Sequence, residues 1–365
     1  MAFAAGTGGF TASPDLQAQI TPPAQSATDA TPPDATSLDP QSAALFRDAL
    51  AAQRQQDLPA AEKDYTALVQ TAPQFLPARF NLGLVLDGEG KPQPALDQFN
   101  QVRTESGDFP GVQLFTGIEN FRLGNLSDAE SALRIATKQS PGDTRCWFWL
   151  AKTEFAMQRD TEGKAALDAA LRTSPEDPSA LYLLSQYDIA GQDLAGGESV
   201  LTGLVSRYPQ VPEFHQSLGS VYYLEARLDK AEEEYRNQLA IDPHNPQALS
   251  MLGVILLDRG QAAEAIPLLQ LGLDANPKIP YLQRKLGQAY FEEDRLQDAI
   301  PHLQQAVALD PQESTAHFLL WKIYTAQHKP KEAAAELAAF RKIQPAQANR
   351  PAATPGTTAP RGTLP

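Results

Sequence analysis

The sequence predicts an all-α array of stacked antiparallel helix pairs between two proline-rich tails. Three observations carry this. A proline returns every 34 residues, columns of small and large apolar residues share that period, and apolar residues within each unit recur at helical spacing.

Residues 1–41 hold Pro14, Pro22, Pro23, Pro32, Pro33 and Pro40 among Ala, Thr, Ser and Gln. Such a segment buries too little apolar surface to offset the entropy of ordering, and it reads as a disordered lead. Residues 348–365 read as a disordered tail, with Pro351, Pro355, Pro360 and Pro365 and with Arg350 and Arg361 but no acid. Met1 to Phe10 has neither a basic start nor an apolar run, so no secretory signal is read and the chain as written is expected in the cytoplasm. A lead of this kind also follows the signal of many exported bacterial proteins. A start assigned downstream of the true one would make the protein periplasmic or exported, so the compartment stays open.

Between the tails, Pro73, Pro141, Pro175, Pro209, Pro243, Pro277, Pro311 and Pro345 are separated by 34 residues or a multiple, and only Gly107 breaks the series. Three residues on lie Pro110, Pro178, Pro212, Pro246 and Pro280. Proline cannot continue a helix but suits its first turn, so each pair marks one helix ending and the next beginning. With Ser42 as position 1, nine units run without insertion from Ser42 to Gln347. Position 7 is Leu in seven of them, and position 8 is small in eight, from Ala49 and Gly83 to Gly287. Position 20 is Ala in seven units and Gly163 and Gly197 in the others. Position 24 is always large and apolar, as in Tyr65, Phe99 and Leu133.

Within a unit, apolar residues return every three or four positions over two stretches of about 14 residues, which is helical spacing. A turn lies between the stretches, with Gly90, Gly124 and Gly260 at position 15. Small residues at positions 8 and 20 let the two helices approach, and large ones at 7, 11 and 24 fill the space between neighbours. One hairpin cannot bury its own apolar face, so the units must stack.

These columns resemble the tetratricopeptide repeat (TPR). The clearest copy runs from Pro212 to Asn245, with Leu218, Gly219, Tyr222, Ala231, Tyr235, Asp242 and Pro243. The resemblance covers 306 of the 365 residues. It implies a right-handed superhelix whose concave face, lined mainly by the first helix of each pair, receives peptide segments or helices of partner proteins. Under that geometry the groove takes in Phe46, Phe80, Leu114, Phe121, Phe148, Phe155, Tyr182, Tyr223, Leu257, Tyr281, Phe291 and Phe318, interleaved with Lys152, Gln186, Gln288 and Lys322. Aromatic anchors of this sort carry much of the energy where a helix or peptide docks in a groove. The same stripe also reads as packing between units, because an apolar row at helical spacing commonly faces a core. Some TPR proteins clamp a partner's C-terminal carboxylate with Lys and Asn at positions 5, 6 and 9. Here position 5 offers only Arg284 as a cation and position 6 a single Asn, Asn81, so no such clamp is expected.

Two units depart from the pattern. The fifth carries Gly191, Gly196 and Gly197 around its turn and reads either as a soft joint or merely as a looser repeat, since each interior helical glycine costs about 0.5–1 kcal/mol. In the ninth, Trp321 replaces the small residue at position 8, so its helices must splay or the ring must turn outward. Either that unit caps itself, or the open end near Trp321 associates with a second copy or a partner.

The formal net charge is −14, which speaks against nucleic acid and anionic membrane surfaces as partners and equally serves solubility. No apolar run approaches the length of a membrane-spanning helix. The five histidines lack zinc-motif spacing, and His215 and His317 share position 4, where a structural role is expected. Cys146, the single cysteine, reads as a packed thiol. No phosphate loop or nucleophile elbow is present, and no cofactor or metal is expected. The functional expectation is a non-catalytic scaffold, bacterial in style, that binds a peptide or amphipathic helix of another protein. The alternatives are an envelope assembly factor, for secretion, pili or polysaccharide export, and a regulatory or targeting subunit of an enzyme complex.

Overall fold

The computed structural model describes residues 38–348, with side chains to residue 343. Of the tails expected over 1–41 and 348–365, residues 1–37 and 349–365 lie outside the described residues, whereas residues 40, 41 and 348 are helical. Among the described residues there are helices and turns and no strand. The helices fall into nine consecutive pairs. The first four are α1 (Pro40–Arg54) with α2 (Leu58–Thr71), α3 (Leu76–Gly88) with α4 (Pro92–Glu105), α5 (Val112–Arg122) with α6 (Leu126–Gln139), and α7 (Thr144–Ala156) with α8 (Asp160–Thr173). Then follow α9 (Pro178–Ala190) with α10 (Leu194–Arg207), α11 (Pro212–Leu224) with α12 (Leu228–Ile241), and α13 (Pro246–Asp258) with α14 (Ala262–Ala275). The last two pairs are α15 (Pro280–Glu292) with α16 (Leu296–Leu309) and α17 (Ser314–Ala326) with α18 (Pro330–Ala348). Asp39 opens the first helix two residues before the period begins, because its carboxylate accepts from the N–H groups of Gln41 at 2.9 Å and Ser42 at 3.1 Å.

Every first helix stops in the same way. Position 15 is left-handed in all nine units: at Gly90, Gly124 and Gly260, and also at Gln56, Gln158, Gln192, Ala226, Asp294 and His328. The next residue's N–H then bonds back to the carbonyl of position 11, as from Lys91 to Leu86 at 2.9 Å and from Arg227 to Tyr222 at 2.8 Å. This is the six-to-one closure that satisfies a helix's last carbonyls. The three glycines were visible in the sequence, but the other six residues adopt the same backbone because the flanking helices impose it.

The close approach within a pair is set by positions 8 and 24. A Cβ built on Gly83 would stand 2.5 Å from the Phe99 ring, and one on Gly287 2.7 Å from Leu303. Tyr65, Phe99, Leu133, Leu167, Leu201, Tyr235, Leu269 and Leu303 at position 24 are all fully buried.

Successive pairs are joined by two polar devices that recur with the period. At six joints the side chain at position 4 bonds to the carbonyl of position 32 in the preceding unit, while the fifth and seventh repeats have Leu181 and Leu249 there. Gln113 reaches Gly107 O at 3.1 Å, Trp147 reaches Pro141 O at 2.9 Å, and Gln283 reaches Pro277 O at 2.8 Å. A cation at position 16 pairs with Glu at position 21 of the preceding unit: Lys91 with Glu62 (2.9 Å), Arg159 with Glu130 (2.8 Å) and Arg227 with Glu198 (2.7 Å). All three pairs are partly exposed, so solvent screens them and each adds little to stability.

The chain divides into two compact units, one ending at Tyr187 and the other beginning at Asp188. The division falls inside the fifth repeat, in α9. The first unit holds two apolar clusters, one around Phe46, Tyr65, Phe80 and Phe99 and one around Leu133, Phe148, Trp149 and Leu167. The second is built around Leu252, Leu269, Leu286, Leu303 and Leu320. In the ninth repeat Trp321 is half-buried, with its ring tilted against Phe318 at 5.4 Å between centroids. The ring at the position that is small elsewhere is thus half-covered, beside Phe318 of its own helix and against the core of the second unit.

Candidate functional site

The candidate site is the face of the first helices, built differently in the two units. In the first unit most of the expected groove residues are consumed by packing. Phe46 lies edge-on to Phe75 at 5.0 Å and beside Tyr65, and Phe80 sits among Phe99, Phe109 and Phe115 at 5.1–5.7 Å. Leu114 and Phe148 are buried, and so is Phe155, whose ring faces Tyr187 at 5.3 Å and occupies the space that a side chain at Gly163 would need. Phe121, Tyr182 and Gln186 remain half-buried.

Lys152 is the unusual member of this face. The residue is 4% exposed, and its ammonium lies 4.5 Å from the Trp149 ring, 5.1 Å from Phe121 and 5.7 Å from Phe148. Burial, helped by the nearby Arg122 charge, pushes its pKa down to about 8. Three aromatic faces offset part of the cost of hiding the charge.

In the second unit the face is more open. Leu257 is buried, but Tyr223, Tyr281, Gln288, Phe291 and Phe318 are half-buried and Lys322 is exposed. Their polar ends converge. The Tyr223 hydroxyl donates to Asp258 Oδ2 at 2.9 Å and stands 3.4 Å from the Tyr281 hydroxyl, so α11 and α15 meet across the end of α13. Lys285 Nζ donates to Asp258 Oδ1 at 2.5 Å. The Arg284 guanidinium lies 4.9 Å from the Tyr281 ring and pairs with Glu313 at 3.2 Å. Gln288 donates to Glu292 at 2.8 Å, and Lys322 Nζ lies over Phe318 at 4.8 Å and Phe291 at 5.9 Å. Burial raises the phenol pKa of both Tyr223 and Tyr281, so both stay neutral hydrogen-bonding groups.

Sequence reasoning missed Trp149, Asp258 and Lys285 as members of the face, and took Arg284 only as a possible clamp cation. Asp258 occupies position 13 and Lys285 and Trp149 position 6, one helical turn from the face positions 9 and 2. The i, i+4 relation would have found them.

Several groups named in the sequence have structural surroundings. His215 Nδ1 lies 2.6 Å from Glu234 Oε2 and its Nε2 3.0 Å from Pro209 O. His317 repeats this with Glu336 at 2.6 Å and Pro311 O at 3.3 Å. Cys146 is buried, and burial pushes its thiol up to about 12, far from a ready thiolate. Among the described residues no three His, Cys, Asp or Glu side chains are grouped to hold a metal ion, and no helix is long and apolar enough to cross a membrane.

Helix pairs with a left-handed turn at every position 15, and a first-helix face carrying aromatic and hydrogen-bonding groups, define an all-helical repeat protein. The tetratricopeptide repeat model matches residues 121–187, 222–289 and 290–352, and a second tetratricopeptide repeat model matches 46–108. The chain belongs to the tetratricopeptide repeat family. Its fold is similar to that of a chain in the APC/C hetero-tetramer Cut9–Hcn1, at 16% identity and TM-score 0.57, over 73% of this chain and 52% of that one. It thus spans about half the length of the Cut9–Hcn1 chain. It is similar also to a tetratricopeptide repeat protein from Parabacteroides merdae (14% identity, TM-score 0.54, 68% of this chain and 99% of that one). A weaker likeness is to MamA from Desulfovibrio magneticus RS-1 (22% identity, TM-score 0.43, 47% and 97%). At these identities the likeness shows the fold alone. No curated protein matches the chain in sequence.

Proposed function

We propose that the chain is a non-catalytic interaction scaffold and that a peptide or amphipathic helix of a partner protein lies along the first-helix face of its second unit. The observation that carries this reading is the row of half-buried rings, Tyr223, Tyr281, Phe291 and Phe318, on three first helices, α11, α15 and α17, with Gln288 and Lys322 between them. Rings that are part covered and part exposed supply apolar area already held in place, so little side-chain entropy is lost when a partner covers the rest. Phe121, Tyr182, Gln186 and the caged Lys152 form the corresponding, more closed surface of the first unit.

The test is a comparison of proteins captured from the source organism's lysate by wild type and by Phe291→Ala/Phe318→Ala, both shown by circular dichroism to keep their helix content. A partner held by wild type should bind the variant at least about 30-fold more weakly, the size of one hot-spot loss of 2 kcal/mol. Equal capture by both proteins overturns the assignment of this face.

A further inference from the structure

The histidine at position 4 of the sixth repeat has both ring nitrogens on acceptors. His215 Nδ1 meets a carboxylate oxygen of Glu234 on α12 at 2.6 Å, and Nε2 meets the carbonyl of Pro209, in the turn after α10, at 3.0 Å. A neutral imidazole has one N–H and one lone pair, so it satisfies one of these acceptors and turns a lone pair toward the other. Only the imidazolium donates to both. The residue is 4% exposed, so water cannot readily replace a lost bond.

We propose that His215 is a proton-dependent latch that fastens the sixth repeat to the turn closing the fifth and braces its own helix pair. With the proton on, the latch is closed at both ends; with it off, one end opens. Burial works against the charge, but the Glu234 carboxylate and the Pro209 carbonyl outweigh it, and His215 holds its proton above the ordinary histidine value. The charged group bonded to the ring is Glu234 on α12. On α11 itself Glu213 lies two residues back, and in the last turn of α10 stands Arg207.

The chain contains its own proton-independent versions. At position 4 of the third and eighth repeats, Gln113 and Gln283 make the same bond to position 32 with an amide that does not titrate. In the eighth repeat the Gln283 amide oxygen also accepts from His302, at position 23, at 2.8 Å, the reverse of the bond that His215 donates to Glu234. Glutamine therefore supplies the bond to position 32 without a titrating ring, and His215→Gln should keep that end of the joint while removing its dependence on pH.

The direction follows from linkage. A group whose pKa is raised on folding contributes stability that is fully present below the unfolded value of about 6.5 and is lost as pH rises through the folded value. The experiment is urea unfolding of the full chain from pH 5.5 to 9, on wild type and His215→Gln, with an NMR titration of the histidine side chains in wild type. Expected are a His215 titration midpoint above 6.5, both nitrogens protonated at pH 6, and a wild-type urea midpoint that falls with rising pH more steeply than that of His215→Gln. Superimposable pH profiles, or a His215 midpoint at or below 6.5, overturn the proposal. The titration in wild type decides the matter even if the variant does not fold.

Discussion

Lys152 shows how far a single residue is from what its column suggests. Position 9 was expected to offer a cation to a partner, and the structure places that cation under three rings at 4% exposure. Because burial lowers its pKa to about 8, the unfolded chain binds more protons between that value and the free lysine value near 10.4. Stability should therefore rise with pH across that window, and Lys152→Met should not share the rise. The check is the difference in urea midpoint between wild type and Lys152→Met from pH 7.5 to 10. A difference that stays flat would show that the amine is as well solvated in the fold as outside it. The aromatic neighbours were legible as a stripe; that they close over the amine was not, because Phe121 stands on α5 and meets Lys152 of α7 only when the two helices pack.

At the scale of the element, the turn between helices is the most uniform feature of the chain and one of the least legible. Sequence showed glycine at three of nine position-15 sites. The structure puts Gln56, Gln158, Gln192, Ala226, Asp294 and His328 in the same left-handed backbone. Ala226, at φ 59°, has no polar side chain to ease that conformation. Ala226→Gly should stabilise the protein by about 1 kcal/mol, as relief of the Cβ clash outweighs the extra freedom glycine gives the unfolded chain. Thermal melts that leave Ala226→Gly equal to or below wild type would refute this. Helix positions, the small-against-large contact of Gly83 with Phe99, and the stacking of units were all readable because each rests on a repeated apolar column. The links from position 4 to position 32 escaped notice because Arg79, Gln113, Trp147, His215, Gln283 and His317 share no chemistry except an N–H that can reach a carbonyl six residues back.

For the whole molecule, a common register means that one unit can stand in for another. Removal of residues 246–279, a full period within the second unit, brings Pro280 behind Asn245 and leaves Gln283 six residues from Pro243, a position-32 carbonyl like Pro277. The shortened chain should fold cooperatively with helix lost only in proportion to its length, whereas removal of 17 residues from the same place should not. Circular dichroism and urea unfolding of the two deletions distinguish these outcomes; equal damage from both would mean that the seventh repeat is not interchangeable. Six joints between repeats, for their part, are closed by a guanidinium, amides, an indole and imidazoles, and two have Leu181 and Leu249 in that place, so the joints do not share one strength. Held at its two ends and stretched, such a chain should yield joint by joint in an order set by those side chains, each released repeat paying out about 110 Å of extended chain.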